Sequence, residues 1–300
     1  MPRWTRRALL QAGAALPLVG CAAADDDPLL APMARIRPLF RLKAPPQPGD
    51  WLAEHKEAGQ SYAQFRAATA ARAVDSYGII RIVPIGPLSR GQAFVFEVVR
   101  DFMKPFFGLP LAIDPAVDLA TIPESATRIQ TFEGQAQLLT THLLNDTLLK
   151  RRQSRDAAVL GLTASDLWPG PGWNFVFGQA SLKERVGVWS MARNGDPDQG
   201  TQLRDQCALR TVMTATHETG HMFGIRHCIA YECGMNGSNH AEERDRQPLE
   251  FCPECQAKLW WTLRLDPLQR SRALEILARS RGFARAAAGF AAQVRALASG

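Results

Sequence analysis

The sequence predicts an α+β fold in which a mixed β-sheet is packed by helices. Three observations carry that reading. Apolar and β-branched runs near 78–86, 109–113, 157–164 and 186–193, closed by Pro or Gly, have the length and composition of strands. Between them lie stretches with apolar residues at helical spacing, and late in the order two extended stretches stand close together, the pattern of a mixed sheet. Finally, a helix over about 205–223 carries His217, Glu218 and His221 and leads into four closely spaced cysteines, so the fold is expected to end in an active-site helix and a metal-clamped C-terminal lobe.

Residues 1–20 read as an export signal. Thr5-Arg6-Arg7-Ala8-Leu9-Leu10 resembles a twin-arginine consensus, and about a dozen apolar residues follow, too few to span a bilayer. Leu18-Val19-Gly20-Cys21 resembles a bacterial lipobox, which makes Cys21 the expected lipid anchor. The expected location is therefore the bacterial cell envelope, lipid-anchored on its periplasmic face. Residues 21–50 are dense in proline, with Pro28, Pro32, Pro38, Pro45, Pro46 and Pro48. They are read as a tether, or a strap along the surface, without helix or central strand.

The main domain is placed at 51–265. A short helix or two is expected within 52–73, a strand at Gly78–Gly86 and a helix at 89–104 with Phe94, Val95, Val98, Val99 and Phe102 inward. A second strand follows at Leu109–Ile113, a helix at 134–150 and a third strand at Ala157–Ala164. His55, Tyr62 and His142 read as surface or packing residues. After the Pro169–Gly172 turn, Trp173–Gln179 is extended, followed by a strand at Val186–Arg193 and a turn-rich loop at 194–200. Beyond the cysteines, Lys258–Leu265 is helical. Asp266-Pro267 caps a further amphipathic helix or pair over 266–300, packed on the domain.

The chemistry concentrates in His217-Glu218-Thr219-Gly220-His221-Met222-Phe223-Gly224-Ile225-Arg226-His227. Positions i and i+4 share a helix face, so His217 and His221 can present two imidazoles to one ion. Gly224 can take the left-handed conformation that ends a helix, turning the chain so that His227 becomes a third ligand. Three protein ligands with one open position is the arrangement of catalytic zinc, and Glu218 stands beside the first ligand as a base for its water. Gly220 is expected to permit close approach of another backbone or the substrate. Cys228, Cys233, Cys252 and Cys255 have four-thiolate zinc spacing, although in an oxidising compartment they could instead form two disulfides. Cys207 reads as a buried small residue on or just before the helix.

The eleven-residue motif matches the metzincin form of the zinc-peptidase signature. With Cys228, Cys233, Met235 and Cys252-Pro253-Glu254-Cys255 behind it, the run resembles the archaemetzincins, also called archaelysins. Sixteen residues separate Met235 from Cys252 where the usual pattern has seventeen. Trp173–Ser181, Gly237-Ser238-Asn239-His240 and Asp50–His55 look like the branch found in eukaryotes. The resemblance covers roughly 38–262. It implies a metzincin-like fold and two zinc ions per chain: a catalytic one on His217, His221 and His227 with Glu218 as base, and a structural one on Cys228, Cys233, Cys252 and Cys255. Met235 would form a turn beneath the first. An edge strand made of Phe175, Val176, Phe177, Gly178, Gln179 and Ala180 would bind substrate. His240 is left between substrate contact, support of the site and a solvent-facing loop.

Composition bounds the function. Hydrophobic residues make up 46% and charged residues 21%, which excludes disorder throughout. The net charge of +6 includes Arg3, Arg6 and Arg7; without those three it is +3, too little to argue for nucleic acid. The expectation is a monomeric zinc metallopeptidase acting on peptides or proteins. Two alternatives are a zinc protein that captures peptides without turnover and an amidohydrolase acting on a non-polypeptide envelope amide.

Overall fold

A computed structural model describes residues 27–69, 78–131 and 134–299; the export signal and Cys21 lie outside them. The described strands are β1 (Ile79–Ile85), β2 (Leu111–Ile113), β3 (Thr127–Ile129), β4 (Ala136–Leu139), β5 (Asp156–Thr163), β6 (Asp166–Trp168), β7 (Gly178–Ser181) and β8 (Val186–Ser190). Five form a sheet in the order β2-β1-β5-β8-β7, parallel except for β7, which pairs antiparallel with β8 and leaves an open edge. The mixed sheet is as expected.

Both faces of this sheet are covered, and the period of two along each strand decides which residue faces which layer. Ile80, Ile82, Leu160, Leu162 and Trp189 point into the larger core, whereas Val83, Ile85, Val159, Val186 and Val188 point into a second one. β5 is buried at every position. Arg81, buried on β1, bonds Asp156 of β5 at 2.8 Å and Asp114 just past β2 at 2.5 Å, so its charge is matched inside the layer.

The described α-helices are α1 (Leu30–Ile36), α2 (Trp51–Glu54), α3 (Tyr62–Ala68), α4 (Arg90–Phe107), α5 (Thr140–His142), α6 (Thr201–Met222), α7 (Ala241–Arg246), α8 (Pro253–Leu263), α9 (Pro267–Ser280) and α10 (Ala284–Ala298). α4 and α6 pack on one face of the sheet. α4 opens on a reciprocal cap between Ser89 and Gln92 and runs through Pro105, beyond the expected end at 104, before closing on left-handed Gly108. Pro105 sits in the last turn, where it removes one hydrogen bond, while Phe106 and Phe107 behind it are fully buried.

Two expectations change here. Residues 134–150 are not one helix: Ala136–Leu139 is β4, which joins β3 and β6 in a second, three-stranded sheet, and the helical part starts at α5 and continues as a π-helical segment, Leu143–Leu148, and a 3₁₀ turn, Leu149–Arg151. Apolar Leu138 serves either state, and pairing with the preceding strand β3 and with β6 decides it. The proline-rich segment also differs from expectation, because Leu30–Ile36 is helical. Pro32 lies in the first turn, where the N–H has no partner within the helix to lose, and Met33 and Ile36 are buried beside Trp260 and Leu297. The following stretch is strapped down by Lys43 N–H to the Ala230 carbonyl and Glu232 N–H to that of Arg41, both 3.0 Å. Residues 27–50 are therefore a packed strap.

α9 and α10 form a hairpin as expected, with the Asp266 side chain accepting from Gln269 N–H at 2.7 Å. Leu274, Ala278, Phe283 and Phe290 enter the main core beside Phe102 and Phe251, so the C-terminal extension shares the core of the domain. No described helix is long and apolar enough to cross a membrane.

Candidate active site

α6 carries His217 and His221 on one face. The helix ends at Met222, and Gly224 takes φ +82°, the left-handed turn expected of it. The turn brings His227 back, so that ring nitrogens of His217, His221 and His227 all lie within 4.8 Å of one another. Each imidazole is oriented by its other nitrogen: Nδ1 of His217 meets the Gly234 carbonyl at 2.9 Å, that of His221 the Ile225 carbonyl at 2.7 Å, and that of His227 the Glu57 carboxylate at 2.8 Å. Donating from Nδ1 leaves Nε2 as an acceptor, and the Nε2 atoms of His217 and His221 face one another at 3.0 Å. Burial and neighbouring imidazoles keep both neutral, His217 well below the usual histidine range and His221 near about 4. Three neutral nitrogens aimed at one point fit a zinc ion.

Glu218 lies half-buried in the same cleft, deep enough that burial raises its carboxyl to about 7. Above it runs the open edge of the sheet. A Cβ on Gly178 would come within 3.2 Å of the Glu218 side chain, so β7 rests directly on the glutamate. The expected edge strand Phe175–Ala180 is shorter at its start, because pairing with β8 begins at Gly178. Phe175, Val176 and Phe177 precede it as cleft wall, attached by the Val176 bridge to Leu167 and by Ser190 N–H to the Phe177 carbonyl. The cleft has a volume of about 550 Å³ and is lined by these residues, the histidines, Glu218, Trp51 and, from the cysteine loop and α7, Asn236, Ser238, Asn239 and Arg244.

Cys228, Cys233, Cys252 and Cys255 are buried, unpaired and within 4.8 Å of one another. The Cys228 and Cys252 sulfurs are 3.6 Å apart, far beyond the ~2.05 Å of a disulfide and close to the spacing of two thiolates on a metal. Backbone N–H groups of Cys252 and Met235 point at the Cys233 sulfur from 3.1 and 3.4 Å, as they would toward a thiolate. The donor set fits zinc, and the disulfide alternative does not match it. Asn236 fixes the loop between the first two cysteines: its amide donates to the Cys228 and Tyr231 carbonyls at 2.7 and 2.9 Å and accepts from Cys233 N–H at 3.0 Å.

The two clusters touch through Met235. A Cβ on Gly220 would lie 2.6 Å from the Met235 sulfur and 3.3 Å from Phe251. The close neighbour of Gly220 is therefore this methionine side chain, and not the backbone or substrate expected from sequence. Cys207 is buried on α6 as expected, its thiol raised to about 11 by burial. His240 is neither a free loop histidine nor part of the cleft lining: its Nδ1 accepts from Glu243 N–H at 3.3 Å to cap α7, and its Nε2 lies 3.3 Å from Asp50. Asp50, His240 and Glu243 lie close enough to hold a cation, yet their atoms are engaged in protein bonds. Glu243 accepts from Trp51 and Asn239 N–H, and Asp50 from Gln47 N–H and Arg246.

That network gives a role to residues that had none in the sequence reading. Trp51 N–H is held by Glu243, its indole packs so closely on Gly237 that any Cβ there would be at 2.5 Å, and its Nε1 donates to the Glu57 oxygen that also meets His227. Glu57 is separated from His227 by 170 residues, and nothing in its local pattern signals the contact. Asn236 and Arg244 also lacked a local signal.

A family model described as Peptidase family M54 matches residues 123–260. Archaemetzincin-2 of Rattus norvegicus is 34% identical over 258 residues, 75% of this chain and 71% of its own length. The chain belongs to the archaemetzincin family. It is a zinc metallopeptidase on that membership. The archaemetzincin of Archaeoglobus fulgidus is 32% identical over 175 residues, 58% of this chain and 96% of its own. The crystal structure of archaemetzincin from Methanopyrus kandleri superposes with a TM-score of 0.50 at 32% identity, covering 63% of this chain and 97% of that one. The mammalian match extends over more of this archaemetzincin than either archaeal one, in keeping with the eukaryote-like segments.

Proposed function

We propose that peptide bonds are hydrolysed at the three-histidine site, with zinc held by His217, His221 and His227 and with Glu218 as the general base. The observation that carries this is the convergence of the three imidazoles beside Glu218, under the open strand edge. Bound there, zinc supplies Lewis-acid chemistry, polarising the scissile carbonyl and acidifying water. Glu218 accepts the proton of the attacking water and passes it to the leaving amine. The edge of β7, with Phe175–Phe177 beside it, aligns an extended substrate by main-chain pairing, which is largely blind to side chains. A second zinc on the four cysteines anchors the loop that carries Gly234 and Met235, and through Gly234 it steadies His217. The left-handed turn at Gly224 and Met235 beneath α6 support a metzincin-like architecture.

Replacing Glu218 with Ala tests the assignment. Zinc content should be kept while turnover of a mixed peptide library falls by about 10²–10⁴-fold. Loss of metal would put the base role in doubt, and unchanged turnover would reject it. A wild-type protein that binds the peptides intact would instead favour the capture reading. One that cleaves only small envelope amides would favour the amidohydrolase.

Export and lipid attachment at Cys21, and action as a monomer in the cell envelope, are further proposals that rest on residues 1–21 and composition alone. Metabolic labelling with a radioactive fatty acid, lost on Cys21→Ser, checks the anchor.

A further inference from the structure

Three arginines are buried among the described residues: Arg81, Arg244 and Arg270. Arg81 is paired with two aspartates, and Arg270 donates to the Phe106 carbonyl and Gln256. Arg244 differs. It is 4% exposed, and none of its three guanidinium nitrogens has a hydrogen-bond partner. Its one close contact of note is the face of Phe177, 4.2 Å from the ring centroid. The neighbouring carboxylates are used elsewhere, Asp245 by Arg210 and Glu243 by backbone N–H groups. A guanidinium taken out of water without an anion or a hydrogen-bond acceptor is costly, and a carboxylate that reached it would offset that cost.

Arg244 lines the catalytic cleft, stacked on Phe177 of the wall that precedes β7. Glu218 is the only carboxylate among the described lining residues and Arg244 the only Lys or Arg, so the cleft holds one acid near the histidines and one unmatched cation beside them. Burial lowers the arginine only to about 10, so it stays charged at neutral pH.

We infer that Arg244 is a specificity-determining residue that receives a carboxylate of the substrate, in a subsite of this cleft walled by Phe177. The inference rests on the peptidase reading and names its substrate class: peptides with an acidic side chain near the scissile bond, or with a free C-terminal carboxylate a short distance beyond it. A planar guanidinium can bind either carboxylate through two parallel hydrogen bonds once the Phe177 ring, stacked on nitrogens that are closed to solvent, moves aside.

The test uses the zinc-loaded full chain and quenched fluorescent peptides that carry Glu or Gln at each position around the bond, each with a free or amidated C-terminus. Wild type should cleave the carboxylate form about 30-fold or more faster in kcat/KM than its amide isostere. In Arg244→Met that ratio should fall toward one. In Arg244→Lys, which keeps the charge and loses the fork, it should be intermediate; this second variant serves if the first does not fold. Dependence on Glu at one position whatever the C-terminus identifies a side-chain carboxylate, and dependence on the free terminus identifies the α-carboxylate. No carboxylate preference in wild type, or a preference that survives in Arg244→Met, overturns the inference and leaves the peptidase reading standing. If no peptide is turned over, calorimetry with the same peptides separates the two. Carboxylate-selective binding lost in Arg244→Met would sustain the subsite without the peptidase, and equal binding of Glu and Gln peptides would reject it.

Discussion

Imidazoles whose lone pairs converge repel one another until a cation lies between them, so each ring must be held by its far nitrogen. For His217 and His221 a backbone carbonyl does this, but His227 relies on a side chain, Glu57, that arrives on the loop between α2 and α3. Glu57→Gln keeps the shape and removes the charge. It should weaken zinc binding at the histidine site by about 10–100-fold while leaving the cysteine site loaded, as read by competition with a zinc chelator. An unchanged affinity would show that Trp51, stacked edge-on to His227 at 5.2 Å, suffices to hold the ring.

Among the elements, α6 and the cysteine loop depend on each other. Gly220 weakens the helix by about 1 kcal/mol relative to Ala, yet it leaves the space that the Met235 sulfur fills. Gly220→Ala should therefore destabilise the protein by about 1–3 kcal/mol despite better helix propensity, because Met235 is fully buried and cannot yield freely. A rise in melting temperature would refute the packing. Cys252→Ser should lower stability and zinc content together, and calorimetric melting beside metal analysis checks both. Two zinc ions in an unchanged fold would rule out the four-cysteine site.

At the scale of the whole molecule, the hairpin of α9 and α10 covers α4 and meets the segment before the cysteines. Glu250 is buried there, its carboxylate against Gly289 of α10 and one oxygen without a partner. Burial raises its carboxyl to about 7 against an ordinary 4.5, and the attraction of Arg285 only partly offsets this. The folded state thus holds a proton that the unfolded chain has released between those values. The associated stability is fully present below pH 4.5 and is lost as pH rises through about 7, by up to roughly 3 kcal/mol. Glu250→Gln should flatten that dependence and melt higher than wild type at pH 8; an unchanged pH profile of melting would place the proton elsewhere.

How much was legible in the sequence follows from the range of the interactions involved. The histidine helix, its terminating glycine and the paired cysteines are local patterns, set by helix periodicity and backbone conformation, and so they could be read in order along the chain. The central strands β1, β5 and β8 were equally plain, because burial on both faces requires continuous apolar runs. β4 was misread because Leu138 suits strand and helix alike until β3 and β6 pair with its backbone. The sequence alone therefore determined the chemistry of the site: three nitrogens, a carboxylate and four thiols at fitting intervals. Only the tertiary structure decided what surrounds it. Glu57 beneath His227, Met235 against Gly220 and the unmatched Arg244 beside Phe177 are contacts between segments distant along the chain, where burial and charge pairing act and local spacing carries no signal.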